Sequence, residues 1–309
     1  MQLKRYIGLL IFLLLVKGKC NKQNGIGYED LENPTSQKGN DKNGSQDKDP
    51  CNNSNKGSSN IPFNTVTQAD VTAFKAELKA KNLKTVNWKI GLKDISATDG
   101  KTPGIYTGNM LIDTSGIFLT AFKIDKISKK TVLVNASNSG ISFGGAGLNG
   151  GITSYAVSEG AGGAYTDVGR GKTKDWLNLV LPKSGCNANA ICAGEFAISD
   201  FKYGKIYHAC GPIGCTTDNI NILKSNQQKV TDLYYNMLKE SYENGIKKIV
   251  LGAVSVSTFA NYGADYTKDE FIAAMFNAIY EGIKKFTDTF STHGMVIICN
   301  SWVELKPLP

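Results

Sequence analysis

A short apolar run at residues 131–134 leads into two asparagines, Asn135 and Asn138, and then into the chain's main glycine cluster, residues 140–163. Thr, Val, Leu and Val in succession are typical of a buried strand, and glycines after a strand let the backbone approach a ligand closely. Asparagine amides there donate and accept hydrogen bonds without charge, which suits sugar hydroxyls, and the N–H groups of glycines can point at phosphate. The pattern predicts a ligand loop at the carboxyl end of a buried strand.

Strand-like and helix-like segments alternate through most of the chain. Strands are predicted at residues 88–95, 105–112, 117–124, 131–134, 206–209, 246–256 and 295–299. Helices are predicted at residues 71–81, where Asp70 is a candidate cap, 227–244 and 268–287. The alternation predicts an α/β fold with a largely parallel sheet in one domain, residues 61–309.

The first sixty residues differ in composition from the rest. Residues 7–16 are apolar apart from Gly8 and follow Lys4 and Arg5; they are too short for a transmembrane helix and fit a signal peptide over residues 1–20. Cleavage after Gly18 and a lipoprotein-type cysteine at Cys20 are both open. Residues 21–60 are mostly Asn, Lys, Gly, Ser, Asp and Gln and predict a disordered linker. We therefore expect a secreted or membrane-anchored protein.

The charge balance does not point to nucleic acid as a partner. The chain carries 35 Lys or Arg against 27 Asp or Glu, a net charge of +8, without long basic blocks. So mild an excess of positive charge does not indicate specific nucleic-acid binding. The sequence shows no internal repeat and no helix typical of an interaction motif, so we expect a monomer. Contact with a membrane is expected only through the N-terminal signal or a lipid.

Residues 145–150, GAGLNG, match the glycine fingerprint of dinucleotide-binding folds. In that fold the glycines follow the strand at once, whereas nine residues, 135–143, intervene here. No acidic residue follows at the expected distance after a strand. An NAD-dependent oxidoreductase is therefore the weakest of the functional hypotheses.

Four stretches, in order, resemble the signatures of the macro domain family. Residues 134–138 and 144–148, VNASN and GGAGL, are similar to "VNAAN…GGGGV". Residues 192–199, CAGEFAIS, resemble "CPTGEAKIT"; residues 206–212, IYHACGP, resemble "VIHTVGP"; and residues 252–259, GAVSVSTF, resemble "PAISTGIF". The resemblance covers roughly residues 118–299.

The resemblance implies a three-layer α/β/α fold, with a central mixed and largely parallel sheet, that binds ADP-ribose or ADP-ribosylated protein and needs no cofactor or metal. Asn135 and Asn138 would face the distal ribose, and a residue near the adenine would be acidic. For that role Asp125 has nearly the family's spacing, while Asp94 and Asn109 remain rivals. The implied phosphate-binding residues are Gly144, Gly145, Ala146, Gly147, Leu148, Ser255, Val256, Ser257 and Thr258, and Phe259, at the end of the second phosphate loop, would lie beside the distal ribose. Phe259 could instead be an ordinary core aromatic.

Two departures bear on catalysis. The hydrolytic branch of the family usually has Asp after "GGGGV", where this chain has Asn149, so Asn138 and Asn149 are the candidate catalytic pair. An amide can hold a water molecule but cannot accept its proton. Ser257 also stands where the family usually has Gly. Binding is therefore favoured over hydrolysis of ADP-ribosyl groups or ADP-ribose phosphate esters.

The cysteines and histidines give weaker signals. Cys186, Cys192, Cys210 and Cys215 with His208 lack a Cys-x-x-Cys pair, so a zinc site is disfavoured. If the chain reaches an oxidising compartment, some of these cysteines can form disulfides, and the sequence leaves both their state and their pairing open. A thiol protease would need a cysteine beside His208 or His293, but His208 lies in an apolar strand and is predicted to be structural.

Overall fold

The computed structural model describes residues 66–81, 93–94, 102–108, 110–113, 116–119, 130–141, 148–150, 152–153, 177–183, 190–201 and 204–300. All of them belong to one compact unit, Lys48–Pro309. The predicted signal and linker lie outside the described residues.

Ten strands and three helices are labelled here in chain order among the described residues. The strands are β1 Lys93–Asp94, β2 Gly104–Gly108, β3 Met110–Asp113, β4 Gly116–Leu119, β5 Thr131–Ser137, β6 Leu177–Val180, β7 Glu195–Phe201, β8 Gly204–Cys210, β9 Lys248–Leu251 and β10 Val296–Asn300. The helices are α1 Gln68–Lys81, α2 Ile220–Glu243 and α3 Lys268–Thr289.

The main sheet has eight strands in the order β1-β2-β10-β9-β5-β8-β7-β6. The five pairs from β1 to β8 are parallel, and the two that join β8, β7 and β6 are antiparallel. A separate antiparallel hairpin joins β3 and β4. The predicted fold class, α/β with a mixed and largely parallel sheet, is confirmed.

The two faces of the sheet carry two apolar cores, because side chains alternate along each strand. On the first face Val132, Val134 and Tyr207 pack with residues of all three helices. On the second face Leu133 and Ile206 pack with a group that includes Leu148 and Ile152 of the helical residues 148–150 and 152–153. Helical residues therefore cover both faces, as a three-layer arrangement requires.

Side-chain caps fix where the helices begin. The Asn219 side chain accepts hydrogen bonds from the N–H groups of Asn221 and Ile222, so α2 starts seven residues before the predicted residue 227. In α1 the predicted cap was wrong. The Thr67 hydroxyl accepts the Asp70 N–H at 3.2 Å and the Asp70 carboxylate accepts the Thr67 N–H at 2.9 Å, so Thr67 caps the helix and Asp70 completes a capping box.

Several predicted strands change in extent. The run 105–112 is divided between β2 and β3, which belong to different sheets. The predicted strand 246–256 is observed only as β9, which ends at Leu251, and the chain leaves the sheet at Gly252. β5 extends three residues beyond Val134 and so includes Asn135. Strands β6 and β7 were not predicted. Of the predicted strands 88–95 and 117–124, all residues beyond β1 and β4 lie outside the described residues.

Candidate functional site

The carboxyl ends of β9, β5 and β8 lie side by side at one edge of the sheet. β5 pairs in parallel with β9 on one side and with β8 on the other. The chain passes from β5 to β8 on one side and later returns to β9 on the other, so the strand order reverses at β5. In open α/β sheets, ligands bind outside the carboxyl ends at such a reversal. This edge is the candidate site.

The segment that follows β9 touches the glycine-rich segment that follows β5. A Cβ atom built on Gly252 would lie 2.3 Å from Leu148 Cδ2 and 2.7 Å from the carbonyl oxygen of Val134. Real Cβ atoms are not found so close to a backbone oxygen, so only glycine fits here. Because Gly252 has no side chain, Leu148 can pack directly against the end of β5.

The segments after β8 and β9 are also joined. The Ser255 hydroxyl donates to the carbonyl oxygen of Pro212 at 2.6 Å. A Cβ atom on Gly211 would lie 2.1 Å from Ser255 Oγ, so Gly211 provides the space that this hydroxyl occupies. Gly214 N–H donates to the carbonyl oxygen of Phe259 at 3.0 Å. Loop 252–259 is thus joined to the chain beyond β8 at Ser255 and at Phe259.

Two residues at this edge have an unusual backbone conformation. Ile141, after β5, has φ 52°, and Ser255, after β9, has φ 63°. Non-glycine residues rarely adopt positive φ, and for a β-branched residue such as Ile141 it is an outlier. Conformations of this kind cost about 1–3 kcal/mol each and are concentrated at functional sites. Both strained residues lie in loops that follow neighbouring strands.

Tyr234 of α2 supports loop 252–259 from within the core. Its hydroxyl donates to the carbonyl oxygen of Gly252 and accepts the N–H of Val254 at 3.1 Å. Burial raises the pKa of this hydroxyl, so it stays protonated and able to donate. These contacts occupy the backbone groups that a longer β9 would have offered to neighbouring strands.

A row of buried polar side chains leads to Asn149. Asn135 is fully buried, and its Nδ2 donates to Asn149 Oδ1 at 2.8 Å. The same Nδ2 lies 3.3 Å from His208 Nδ1, and His208 Nε2 lies 2.7 Å from Ser199 Oγ. Among the described residues nothing hydrogen bonds to Asn135 Oδ1. The row crosses β7, β8 and β5 and ends at a residue predicted to act in the site.

The predicted site residues are placed in different surroundings. Asn138 and Asn149 are partly exposed, whereas Asn135 and Leu148 are buried. In the second loop, Ser255 and Val256 are buried, Ser257 and Thr258 are exposed, and Phe259 is partly exposed rather than a fully buried core residue. Predicted residues outside the described part of the chain are Asp125, Gly144, Gly145, Ala146, Gly147 and the rival Asn109. The other rival, Asp94, lies in β1 at the edge of the sheet, with β2, β10 and β9 between it and β5.

A buried carboxylate braces the chain between β8 and α2. Asp218 accepts the N–H of Cys215 at 2.9 Å and the hydroxyl of Tyr266 at 3.3 Å. Burial raises the pKa of Asp218, and these hydrogen bonds counter it only in part. Burial raises the pKa of Tyr266, and the neighbouring Asp218 carboxylate raises it further. Asp218 therefore ties the segment after β8 to the chain that leads into α3.

The four cysteines that the structure describes support neither a zinc site nor a thiol protease, and Cys186 lies outside the described residues. Cys192 and Cys215 are disulfide-bonded, a state that the sequence had left open. Cys210 and Cys299 are free and buried, and burial raises the pKa of each thiol to about 12, so neither is a ready nucleophile. Within the described residues no group of three or more His, Cys, Asp or Glu side chains could hold a metal ion. No helix in that same part of the chain is long and apolar enough to cross a membrane.

The sequence did not predict the roles of four residues that organise this edge of the sheet: Ser199, Gly211, Tyr234 and Gly252. Tyr234 is 18 residues from its partner Gly252, and helical spacing shows only that it faces a core. Ser199 carries a weak signal, since it alternates with Ala197 in a short strand whose inward positions should be apolar. Its partner depends on strand register, which alternation does not provide.

No protein-family model matches the chain, and no curated protein matches it. Solved structures do match. A Trypanosoma brucei macrodomain in complex with ADP-ribose has a TM-score of 0.37 and 13% identity, over 77% of this chain and 87% of that one. The Oceanobacillus iheyensis macrodomain with ADP has a TM-score of 0.36 and 16% identity, over 56% of this chain and 77% of that one.

The structure named Alphavirus P23pro-zbd is similar at a TM-score of 0.38 and 14% identity. The match covers 64% of this chain but only 21% of that one, so this chain corresponds to about a fifth of the viral protein. At TM-scores below 0.5 these likenesses assign neither a ligand nor an activity to this chain.

Proposed function

We propose that this chain is a divergent member of the macro domain family that binds ADP-ribose or an ADP-ribosylated protein at the carboxyl ends of β9, β5 and β8. The observation that carries the proposal is that segments bearing separate family-like motifs are in contact at one edge of the sheet. Gly252 packs on Leu148, and Ser255 hydrogen bonds to Pro212. Stretches far apart in the sequence thus form one surface, which chance similarity in each would not explain.

The chemistry of this edge suits a nucleotide sugar. Asn138 offers an uncharged amide to ribose hydroxyls, and the exposed hydroxyls of Ser257 and Thr258 can donate to phosphate oxygens. The backbone N–H groups of loop 252–259 can add to these donors, as in other anion-binding loops. Phe259 is partly exposed and can contact a ribose face, the role that the resemblance implies for it.

The second candidate function is hydrolysis of ADP-ribosyl groups or of ADP-ribose phosphate esters. Asn149 weighs against it, because its Oδ1 accepts a hydrogen bond from Asn135 and an amide cannot take a proton from water. Substrate-assisted attack by water would need no carboxylate and keeps this function in second place. An NAD-dependent oxidoreductase is the least favoured, for the spacing reason given above.

A ligand panel and a release assay separate these functions. ADP-ribose should raise the unfolding temperature of the full chain, because a ligand that binds only the folded state stabilises it. AMP and NAD should raise it less. A protein carrying ADP-ribose on acidic side chains should be retained by the chain without release of ADP-ribose. Release in proportion to enzyme concentration would instead establish hydrolysis, and a larger shift with NAD would favour the oxidoreductase.

We also propose that the protein is exported as a monomer, with residues 1–20 as the signal, 21–60 as a tether and 61–309 as the binding domain. The disulfide-bonded Cys192 and Cys215 support an oxidising destination. Expression with the native N-terminus in a secreting host tests the proposal by mass spectrometry of the mature chain. Cleavage after Gly18 or a lipid on Cys20 would each support export, and an uncleaved cytosolic product would contradict it.

A further inference from the structure

Three polar side chains lie in a row on the second face of the sheet, where apolar residues are expected. Asn135, His208 and Ser199 are each fully buried. They share this face with Leu133, Ile206 and Ala197, which belong to its apolar core. Burying polar groups is costly unless they hydrogen bond to one another, so a row of this kind is expected to have a specific task.

Strand register brings the three side chains together. Asn135 of β5 is directly opposite His208 of β8, and His208 is opposite Ala197 of β7. Ser199 is two residues beyond Ala197 on the same face and is the diagonal neighbour of His208. The row therefore spans three adjacent strands and ends beside Asn149.

The donors and acceptors in the row determine one another. The Asn135 Nδ2 atom can only donate, and it has two hydrogens, one for Asn149 Oδ1 at 2.8 Å and one for His208 Nδ1 at 3.3 Å. His208 Nδ1 must then accept, so its proton is on Nε2, which donates to Ser199 Oγ at 2.7 Å. The ring is neutral in this arrangement.

The arrangement decides what Asn149 can offer to a ligand. Its Oδ1 accepts from Asn135, so its Nδ2 provides the hydrogens for contacts elsewhere. We propose that the Ser199–His208–Asn135 row is a positioning device that orients the amide of Asn149, so that Asn149 meets an anionic or hydroxyl-bearing ligand as a hydrogen-bond donor. The ligand in this statement rests on the proposed function, whereas the orientation does not.

The opposite tautomer would reverse every bond in the row. With the proton on His208 Nδ1, the Asn135 amide would turn to accept from it, and Asn149 Nδ2 would donate to Asn135. Asn149 would then present its oxygen to the ligand. The tautomer of His208 therefore determines whether Asn149 presents its Nδ2 or its Oδ1 to a ligand.

The first test is nitrogen NMR of the full chain without ligand. The ¹⁵N shifts of the two ring nitrogens identify which one carries the proton. We expect the Nε2–H form of His208, and a predominant Nδ1–H form or a charged ring would overturn the proposal. Because no ligand is present, this result stands whether or not ADP-ribose binds.

The second test uses variants of the row. Asn135→Asp cannot donate from its side chain, so we expect it to move the His208 proton to Nδ1 and to raise the Kd for ADP-ribose by about tenfold, or 1.4 kcal/mol. Ser199→Ala should populate the same tautomer, and Ser199→Thr, which keeps the hydroxyl, should restore the Nε2–H form. Ser241→Ala is the matched control, because it also removes a buried hydroxyl but lies in α2, which packs on the other face.

The two proposals can fail separately. If wild type does not bind ADP-ribose but His208 carries its proton on Nε2, the function is wrong and the positioning row stands. If ADP-ribose binds and Asn135→Asp changes neither the tautomer nor the Kd, the row is only structural and this inference is wrong.

Discussion

The side-chain amide of Asn135 donates to Oδ1 of Asn149 at 2.8 Å and so joins the end of β5 to a residue 14 positions later in the chain. Asn135 is fully buried, whereas Asn149 is partly exposed. The buried Asn135 therefore supports the side chain of Asn149, and of these two asparagines Asn149 is the one that a ligand can reach.

Gly252→Ala should disturb the site more than its cost in stability suggests. The added methyl would meet Leu148 Cδ2 at 2.3 Å and the carbonyl oxygen of Val134 at 2.7 Å, so the loop or β5 must shift. Overpacking of this kind costs about 1–3 kcal/mol. We expect a lower midpoint in urea and loss of most ADP-ribose binding.

The matched control for this change is Gly245→Ala, after α2. Gly245 has φ +66°, which strains alanine, but no atom lies within 4 Å of the added Cβ. This variant should lose stability and keep its affinity for ADP-ribose. Equal affinity losses in the two variants would show that the Gly252 contact has no special relation to the site.

Ser255 combines a strained backbone with a useful hydrogen bond, so two substitutions should separate them. Ser255→Ala keeps φ near 63° and leaves the buried carbonyl oxygen of Pro212 without its donor, at a cost of about 1–3 kcal/mol. Ser255→Gly loses the same bond but relieves strain worth about 1–2 kcal/mol. Urea unfolding should find Ser255→Gly the more stable variant, and the reverse order would mean that the backbone is unstrained there.

Asp218 and Asp200 should affect the pH dependence of stability in opposite directions. Burial raises the pKa of Asp218 above 3.8, so its contribution to the free energy of unfolding is present below that pH and is lost as pH rises through the folded-state pKa. Burial acts to raise the pKa of Asp200 too, but hydrogen bonds from Lys205 and Asn178 outweigh it and lower the pKa. Its contribution is present above pH 3.8 and is lost as pH falls through the folded-state pKa.

Denaturation from pH 3 to 7 checks both signs. Relative to wild type, Asp218→Asn should gain stability as pH rises, and Asp200→Asn should lose it. Parallel curves for the two variants would contradict the assignment.

The cysteines should fall into two classes on alkylation. In the folded protein Cys210 and Cys299 should resist iodoacetamide, because both are buried with pKa values of about 12. Denaturation without a reductant should expose these two thiols, and Cys192 and Cys215 should react only after reduction. Mass spectrometry of labelled peptides distinguishes the classes, and labelling of native Cys210 would show that the core beneath β8 opens readily.

The sequence predicts the fold class well, because long periodic segments such as α3 and buried runs such as β5 dominate it. It predicts strand ends poorly. Residues 252–256 look like more of β9, but Tyr234 binds the backbone at Gly252 and Val254 instead. Asn135 illustrates the same limit for the site, since the motif identifies the residue and only the register with His208 shows that it is buried.

Calorimetric titration of the full chain with ADP-ribose, beside Asn138→Ala, tests the central claim most directly. Asn138 is partly exposed at the carboxyl end of β5, so its loss should remove a ligand contact with little change to the core. The account predicts saturable binding at one site, with Kd on the order of micromolar, weakened at least tenfold in the variant. Absence of heat with wild type, or equal binding by the variant, would contradict the proposed site.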